Sequence, residues 1–521
     1  MAEIRDLVGQ LFMIDFTGHE PSPEVERLIA DEGVGGVIVF DKNIAAPRQI
    51  AALTNALQEI AATAGRPPLL VSADQEGGPV VRLRAGATHF PSAMAFGAAG
   101  SEALAAAAAG ITARELRAVG IQMNLAPDVD VNNNPANPVI GVRSYGEDPD
   151  LVSRLGVATI RAMQASGVLA TAKHFPGHGD TSQDSHLDLP AVPHARRRLE
   201  AVELLPFRAA IRAGVGAVLT AHIIFPALDS ELRPATLSPV ILGLLRRELG
   251  FEGLVVTDSM AMRAITDRWP AGEAAVRAVA AGVDIVLACG TLAAQREALE
   301  AVRRAVDEGV IPHERVTDAA SRVQAAKRRL GLFDRASVSL DQVETRVGIP
   351  AHRTVAEHVA EAAVTLVRDR GSVLPLKPGP IAVVAEDEGA EAATRFVRAL
   401  AAAGRDAAVV PADALNAAAE AVAFAVLFGS RAAAESDAAA RAVRVVLTTL
   451  SRGPTAVVCV GAPYGLAGLP KEAACIAVYG TDPASLGAAA RVLTGTLRAR
   501  GRLPVTLSQS GEASSKPLGQ P

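Results

Sequence analysis

Short apolar runs recur along the first 335 or so residues, separated by longer stretches with helical patterning. The runs fall at residues 11–16, 35–40, 69–72, 123–126, 170–173, 217–221, 254–257 and 284–288. Between them, residues 101–119, 151–166, 204–213 and 272–281 have the spacing of helices. A continuous apolar run of this length reads as a strand buried on both faces, as in a parallel sheet covered by crossover helices. Eight such runs, most of them followed by a helix, predict an α/β fold with a (β/α)8 TIM-type barrel over residues 1–335.

The residues that close these runs add a second layer of information. Asp74, Gln75 and Glu76 follow the third run, and Asp128 and Asp130 the fourth. Lys173 and His174 close the fifth, His222 the sixth and Asp258 the seventh. Loops after the strands of such a barrel share one face, where the chemistry is assembled. Polar groups at one or two ends would mean little, because loops are polar. Five successive ends carrying titratable groups indicate a site.

The pattern loosens at residues 336–356, which predicts a linker, and a second α/β unit is expected at 357–507. Its apolar runs at 365–367, 381–384, 407–410, 423–427, 456–460 and 476–478 alternate with Ala-rich helical stretches at 391–403, 432–450 and 483–500. Few acids or histidines converge in its loops, so it reads as a scaffold. The tail 508–521, rich in Ser, Gly and Pro, is expected to be disordered.

Composition narrows the class. Apolar residues make up 50% and charged ones 21%, as in a packed globular protein, and the low 3% of aromatics goes with Ala-padded helices. The net charge of −5 is spread along the chain; Arg196-Arg197-Arg198 is too short a block to suggest a nucleic-acid partner. Cys289, Cys459 and Cys475 sit in apolar runs without metal spacing and read as reduced, buried thiols. The start Met1-Ala2-Glu3-Ile4-Arg5-Asp6 lacks the features of a signal peptide, and no unbroken run of about 18 apolar residues predicts a membrane span. A cytoplasmic enzyme is the expectation.

Hydrolysing a glycosidic bond with retention needs a carboxylate nucleophile and a second group that protonates the leaving oxygen and later deprotonates water. Asp258, at the end of a stiff apolar strand, suits the first role, although an acid after a strand also caps helices. In Asp184-Ser185-His186 a bend would let the carboxylate orient the imidazole for proton transfer; a capping Asp beside an exposed His is the alternative. Gly177 and Gly179 would let that loop move. Lys173 and His174 lie at the end of a buried strand, where a Lys must be paired or face a polar pocket; donating to sugar hydroxyls is one natural use. Arg143 and Asp74 would complete a polar ring, while Arg82 fits a structural ion pair equally well. His174, His178 and His186 could converge on zinc with Asp180, but neither a His-x-His strand nor a His-Glu-x-x-His helix is present. No metal or other cofactor is expected.

Lys173-His174-Phe175-Pro176-Gly177-His178-Gly179, followed after four residues by Asp184-Ser185-His186, resembles the signature loop of the β-N-acetylglucosaminidases of glycoside hydrolase family 3. Asp74-Gln75-Glu76-Gly77-Gly78 with Arg82, Leu125-Ala126-Pro127-Asp128-Val129-Asp130, Arg143-Ser144-Tyr145-Gly146 and Thr257-Asp258-Ser259-Met260 extend the resemblance across residues 1–335. Leu374-Pro375-Leu376 and Gly501-Arg502-Leu503-Pro504-Val505-Thr506 resemble the family's αβα sandwich domain more loosely. The resemblance implies that Asp258 is the nucleophile and that His186 is the acid/base partnered by Asp184. Asp74, Arg82, Arg143, Lys173 and His174 would bind the N-acetylglucosamine before the scissile bond. In larger members the sandwich supplies the acid/base, whereas the Asp-Ser-His loop keeps it in the barrel. The implied activity is removal of terminal β-linked N-acetylglucosamine from muropeptides in cytoplasmic peptidoglycan recycling. Phosphorolysis, broad β-glucosidase or β-xylosidase activity and a non-catalytic muropeptide sensor are the competing readings. The expected partner is a carbohydrate, with no nucleic acid or membrane, and the oligomeric state stays open.

Overall fold

A computed structural model describes residues 2–183, 187–385, 390–411, 414, 423–428 and 436–507. The expected acid/base segment Asp184, Ser185 and His186 and the tail 508–521 lie outside the described residues. The first sheet contains β1 (Phe12–Ile14), β2 (Gly36–Ile38), β3 (Leu70–Ala73), β4 (Met123–Asn124), β5 (Leu169–Phe175), β6 (Ala217–Thr220), β7 (Leu254–Thr257) and β8 (Val286–Ala288). They run parallel in the order β7-β6-β5-β4-β3-β2-β1-β8. A parallel bridge between Val256 and Ile285 joins the ends, with Thr257 N donating to Ile285 O at 3.0 Å, and this closes the (β/α)8 barrel.

Successive strand residues face opposite sides. Met13, Ile38, Leu70, Leu219, Leu254 and Val256 fill the barrel interior, while Phe12, Val37, Val71, Val218 and Val255 pack outward against the helices. Each fully buried large aliphatic side chain contributes about 1.5–3 kcal/mol, so both faces demand apolar residues and the strands read as unbroken runs. Several helices start where the sequence offers a cap: Ser101 accepts from Leu104 N ahead of Glu102–Ala118, and Asp148 with Pro149 opens Pro149–Ala165.

Lys327, on the helix His313–Arg329, is fully buried at the lower end of the barrel and donates to Gln10 Oε1 at 2.8 Å. Burial pushes its ammonium down from 10.5 to about 7. Between those values the unfolded chain keeps a proton that the folded chain has released, so stability rises with pH across that window, by up to about 1.4 kcal/mol per pH unit. Lys327→Met should remove this slope. The Tm of the native chain is expected to gain on that of the variant from about pH 6.5 to about pH 9. A pH-independent difference would mean that the folded protein holds Lys327 charged.

The second sheet consists of β9 (Thr365–Arg368), β10 (Ile381–Ala385), β11 (Ala407–Val409), β12 (Ala423–Phe428), β13 (Thr455–Cys459) and β14 (Ala474–Ala477). Its order is β11-β10-β12-β13-β14-β9, parallel except for β9. Phe396, Leu400 and Leu486, from the helices Ala390–Ala402 and Pro483–Leu493, cover one face. Ala442 and Val446 of Ser436–Leu450 cover the other, together with Met94, Ala95 and Ala98 from the barrel's own helix Ala93–Ala99. The result is an αβα sandwich that shares part of its core with the barrel.

Residues 336–356 include the short helix Val343–Arg346 and the first turns of Pro350–Ala363. Glu115, buried in the barrel, holds this stretch by accepting from Gly348 N at 2.9 Å and pairing with His352 Nδ1 at 2.7 Å. Burial pushes the thiols of Cys459 and Cys475 up to about 12 and about 11, which leaves them protonated. Among the described residues no helix is long and apolar enough to cross a membrane.

Candidate active site

β5 carries Lys173 and His174 at its upper end, both buried. Lys173 Nζ lies 2.9 Å from Asp74 Oδ1 and 2.6 Å from Glu76 Oε1, acids on the loop after β3. Burial alone would drive the ammonium toward neutrality, but Asp74 and then Glu76 hold it above its ordinary range. Gln75 shapes that loop: its Oε1 accepts from Arg82 N and Leu83 N, and its own N–H donates to Asn124 Oδ1 at the end of β4.

Arg143, on the 3-10 turn Gly141–Arg143, grips Glu76 with two hydrogen bonds of 2.9 Å. Its Nη2 is also 3.4 Å from His174 Nε2 and 3.7 Å from Asp128 Oδ2. Burial raises the Glu76 carboxyl, yet Arg143 and Lys173 overcome this and keep it well below the usual carboxylate range. Breaking such a buried pair from one side typically costs about 3–5 kcal/mol, so the four side chains hold each other rigidly.

Behind His174 stand two acids with opposite behaviour. Asp130 Oδ2 pairs with His174 Nδ1 at 2.7 Å, and its Oδ1 accepts from His178 N at 2.6 Å and His174 N at 3.2 Å. Burial works against its charge, but His174 outweighs it and Asp130 stays below its ordinary value. Asp128 is raised well above its own, first by burial and then by the charge of Asp130. An ionised Asp130 accepting from Nδ1–H fixes the ring and points Nε2 toward Arg143. Burial, then the charge of His174, pushes His178 down to about 4, so it is neutral at pH 7.

Donor atoms of Asp128, Asp130 and His174 lie within 4.8 Å of one another. Both Asp130 oxygens already accept from N–H groups, and the guanidinium of Arg143 stands beside Asp128, so the cluster fits an ion-pair network better than a cation site. Asp180, the carboxylate considered as a zinc ligand, faces His194 Nε2 at 2.6 Å and Arg198 at 3.8 Å.

Asp258 follows β7 directly and is half-buried at the mouth. Ser259 N donates to its Oδ1 at 2.7 Å, and Asp258 N donates to Thr220 O at 3.2 Å. His222, after β6, secures the next residue through Nε2 to Ser259 O at 3.0 Å. Burial raises Asp258, but His174 and His222, with Ser259 N–H and Lys173, bring it below its ordinary value. It is therefore a carboxylate at neutral pH, held on a rigid strand end beside the Lys173 ammonium.

Asp74, Arg143, Lys173 and His174 thus form one connected group with Asp258 facing it. Arg82 is at its edge, 3.4 Å from Asp74 Oδ2, with its guanidinium 5.4 Å from the Phe40 ring. Asp184 and His186, expected to be the acid/base pair, lie outside the described residues. Three members of the network, Glu76, Asp128 and Asp130, were visible in the sequence only as acids after strands. The available signal was the close spacing of Asp74 with Glu76 and of Asp128 with Asp130, which puts two acids in one strand-end loop.

The model of the glycosyl hydrolase family 3 N-terminal domain matches residues 3–326. β-Hexosaminidase A of Pseudoalteromonas piscicida is 38% identical over 412 residues, covering 71% of this chain and 68% of that protein. A protein of Cellulomonas fimi named β-N-acetylglucosaminidase/β-glucosidase is 35% identical over 381 residues, covering 71% of this chain and 65% of its own length. The solved structure of a family 3 β-N-acetylglucosaminidase from Paenibacillus sp. str. FPU-7 superposes with a TM-score of 0.91 at 41% identity, over 97% of this chain and 99% of that one. The family model spans more than half of the chain and the Paenibacillus structure shares its barrel and sandwich, so the chain belongs to glycosyl hydrolase family 3.

Proposed function

We propose that this glycoside hydrolase is a retaining exo-β-N-acetylglucosaminidase that releases terminal β-linked N-acetylglucosamine, with muropeptides of cytoplasmic peptidoglycan recycling as its substrates. The carrying observation is the group of Asp74, Arg143, Lys173 and His174 facing an ionised Asp258 at the barrel mouth. Acceptors interleaved with donors suit the vicinal hydroxyls of a neutral sugar, each of which donates and accepts. The sugar would lie against Lys173, His174, Asp74, Arg143 and Arg82. Asp258 would attack the anomeric carbon and form a glycosyl-enzyme while the glycosidic oxygen takes a proton from His186. His186, steadied by Asp184, would then take a proton from the water that releases the sugar. The substrate names of the Paenibacillus and Pseudoalteromonas relatives support this reading.

The test is a product assay on an N-acetylglucosaminyl muropeptide, an aryl β-N-acetylglucosaminide and an aryl β-glucoside, with and without phosphate. Free N-acetylglucosamine, released first as the β-anomer, is expected in both buffers. The glucoside should react about a hundredfold more slowly, since polar groups that meet the acetamido group would be left unpaired. N-acetylglucosamine 1-phosphate in phosphate buffer would make the protein a phosphorylase. Equal rates on the glucoside would make it a broad β-glucosidase, and no turnover would make it a sensor.

A further inference from the structure

Residues 132–137, on the long loop after β4, lie between the site wall and the sandwich. Asn137 Nδ2 donates to His178 O at 2.8 Å and Gly179 O at 3.0 Å, and lies 3.2 Å from Thr181 Oγ1. Its Oδ1 accepts from Val139 N at 2.9 Å and Ile140 N at 2.8 Å, so the amide is committed on both ends. Asn134 Nδ2 reaches Thr181 O at 3.4 Å. The two segments touch so closely that a Cβ on Gly179 would lie 1.8 Å from Val131 O. Residues 178–181 are therefore clamped just before the chain enters the segment 184–186.

The clamp is itself held from the other domain. Tyr464, on the 3-10 turn Pro463–Gly468 of the sandwich, donates through its hydroxyl to Asn132 O at 3.2 Å and accepts from Asn132 Nδ2 at 2.8 Å. Asn132 is fully buried, and its N–H donates to Gly146 O at 2.9 Å, three residues beyond Arg143. The same stretch is tied a second time: Glu147 N donates to Pro504 O at 3.0 Å, and Thr506 N to Glu147 Oε2 at 2.8 Å.

We propose that Tyr464 of the sandwich is a positioning residue of the barrel's active site: its hydroxyl fixes residues 132–137 and, through Asn137, the peptide 178–181 from which the acid/base segment departs. This rests on the assignment of Asp184 and His186 under Proposed function. Removing the hydroxyl leaves two buried groups of Asn132 without their partner, and the turn must then move or hydrate. Proton transfer depends steeply on sub-ångström placement, whereas Lys173 and Arg143, which would hold the sugar, are fixed by Asp74 and Glu76 through contacts that do not pass through Tyr464.

The test compares full-length Tyr464→Phe, which keeps the packing ring, with His186→Ala and the native chain. Each is assayed on a substrate with a sugar leaving group and on an aryl substrate with a good one, alongside KM, the pH profile and Tm. For Tyr464→Phe, kcat should fall about three- to tenfold on the sugar leaving group and less than about twofold on the aryl substrate, with KM unchanged. The alkaline limb of its pH profile should also shift. Equal losses on both substrates, or no loss on either, overturn the proposal whatever happens to Tm. If His186→Ala shows leaving-group dependence and Tyr464→Phe does not, this proposal alone fails. If His186→Ala shows none, the acid/base assignment fails and takes this proposal with it.

Discussion

Asp258→Ala is expected to abolish turnover on every substrate, lowering kcat by about 10⁴- to 10⁶-fold, the scale seen when a covalent catalyst is removed. The loss should not depend on the leaving group, because the missing bond is the one to the anomeric carbon. Structural collapse is not the expected cause. The backbone N–H of Asp258 bonds to Thr220 O irrespective of the side chain, and the site's ion pairs run through Lys173, Glu76 and Arg143. Azide, small enough to enter the space left by the carboxylate, should attack the same face and restore turnover on an activated aryl substrate, giving the α-glycosyl azide. Residual activity within about tenfold of native would move the nucleophile elsewhere. In the native enzyme the acid limb of kcat/KM should lie below the ordinary aspartate value of about 3.9, since His174, His222, the Ser259 N–H and Lys173 outweigh the burial of Asp258.

His186→Ala should separate substrates by leaving group. A sugar oxygen leaves poorly without a proton, and general acid catalysis contributes about 10²- to 10⁴-fold, so hydrolysis of the natural linkage should fall by that factor. An activated phenolate leaves unaided, and its glycosyl-enzyme should form at close to the native rate. Hydrolysis of that intermediate also needs a base, so the sugar-bound form should accumulate and give a burst of phenolate. Added azide would relieve it. The alkaline limb of the pH profile, set by an imidazole with an ordinary value near 6.5, should disappear. Native rates on both substrates would reassign the acid/base.

Much of the barrel was legible along the chain because burial on both faces forces apolar residues at every strand position. Residues 254–257 were bounded as the strand is found, while the run 123–126 shortens to β4 (Met123–Asn124). Strand ends are set by where hydrogen bonding to a neighbour stops, and an apolar run does not encode that. In the sequence Asp74, Lys173 and His174 stand out because each breaks an apolar pattern at a strand end. Glu76 stood two residues from Asp74 and looked equivalent to it. Its importance lies in the bidentate bond to Arg143 and in the contact with Lys173, and no local pattern announces either.

By itself the sequence determined the strand and helix periods, the face on which polar strand ends collect and the chemical types available there. These are local properties, written in spacing. Only the tertiary structure decided which acid meets which base. Asp130 is ionised because it faces His174, and Asp128 is driven toward its neutral form because it is buried beside Asp130. Only the fold, too, brought Tyr464 to Asn132 across 332 residues of chain. Charge state and orientation depend on neighbours distant in sequence, and close packing in three dimensions is what selects them.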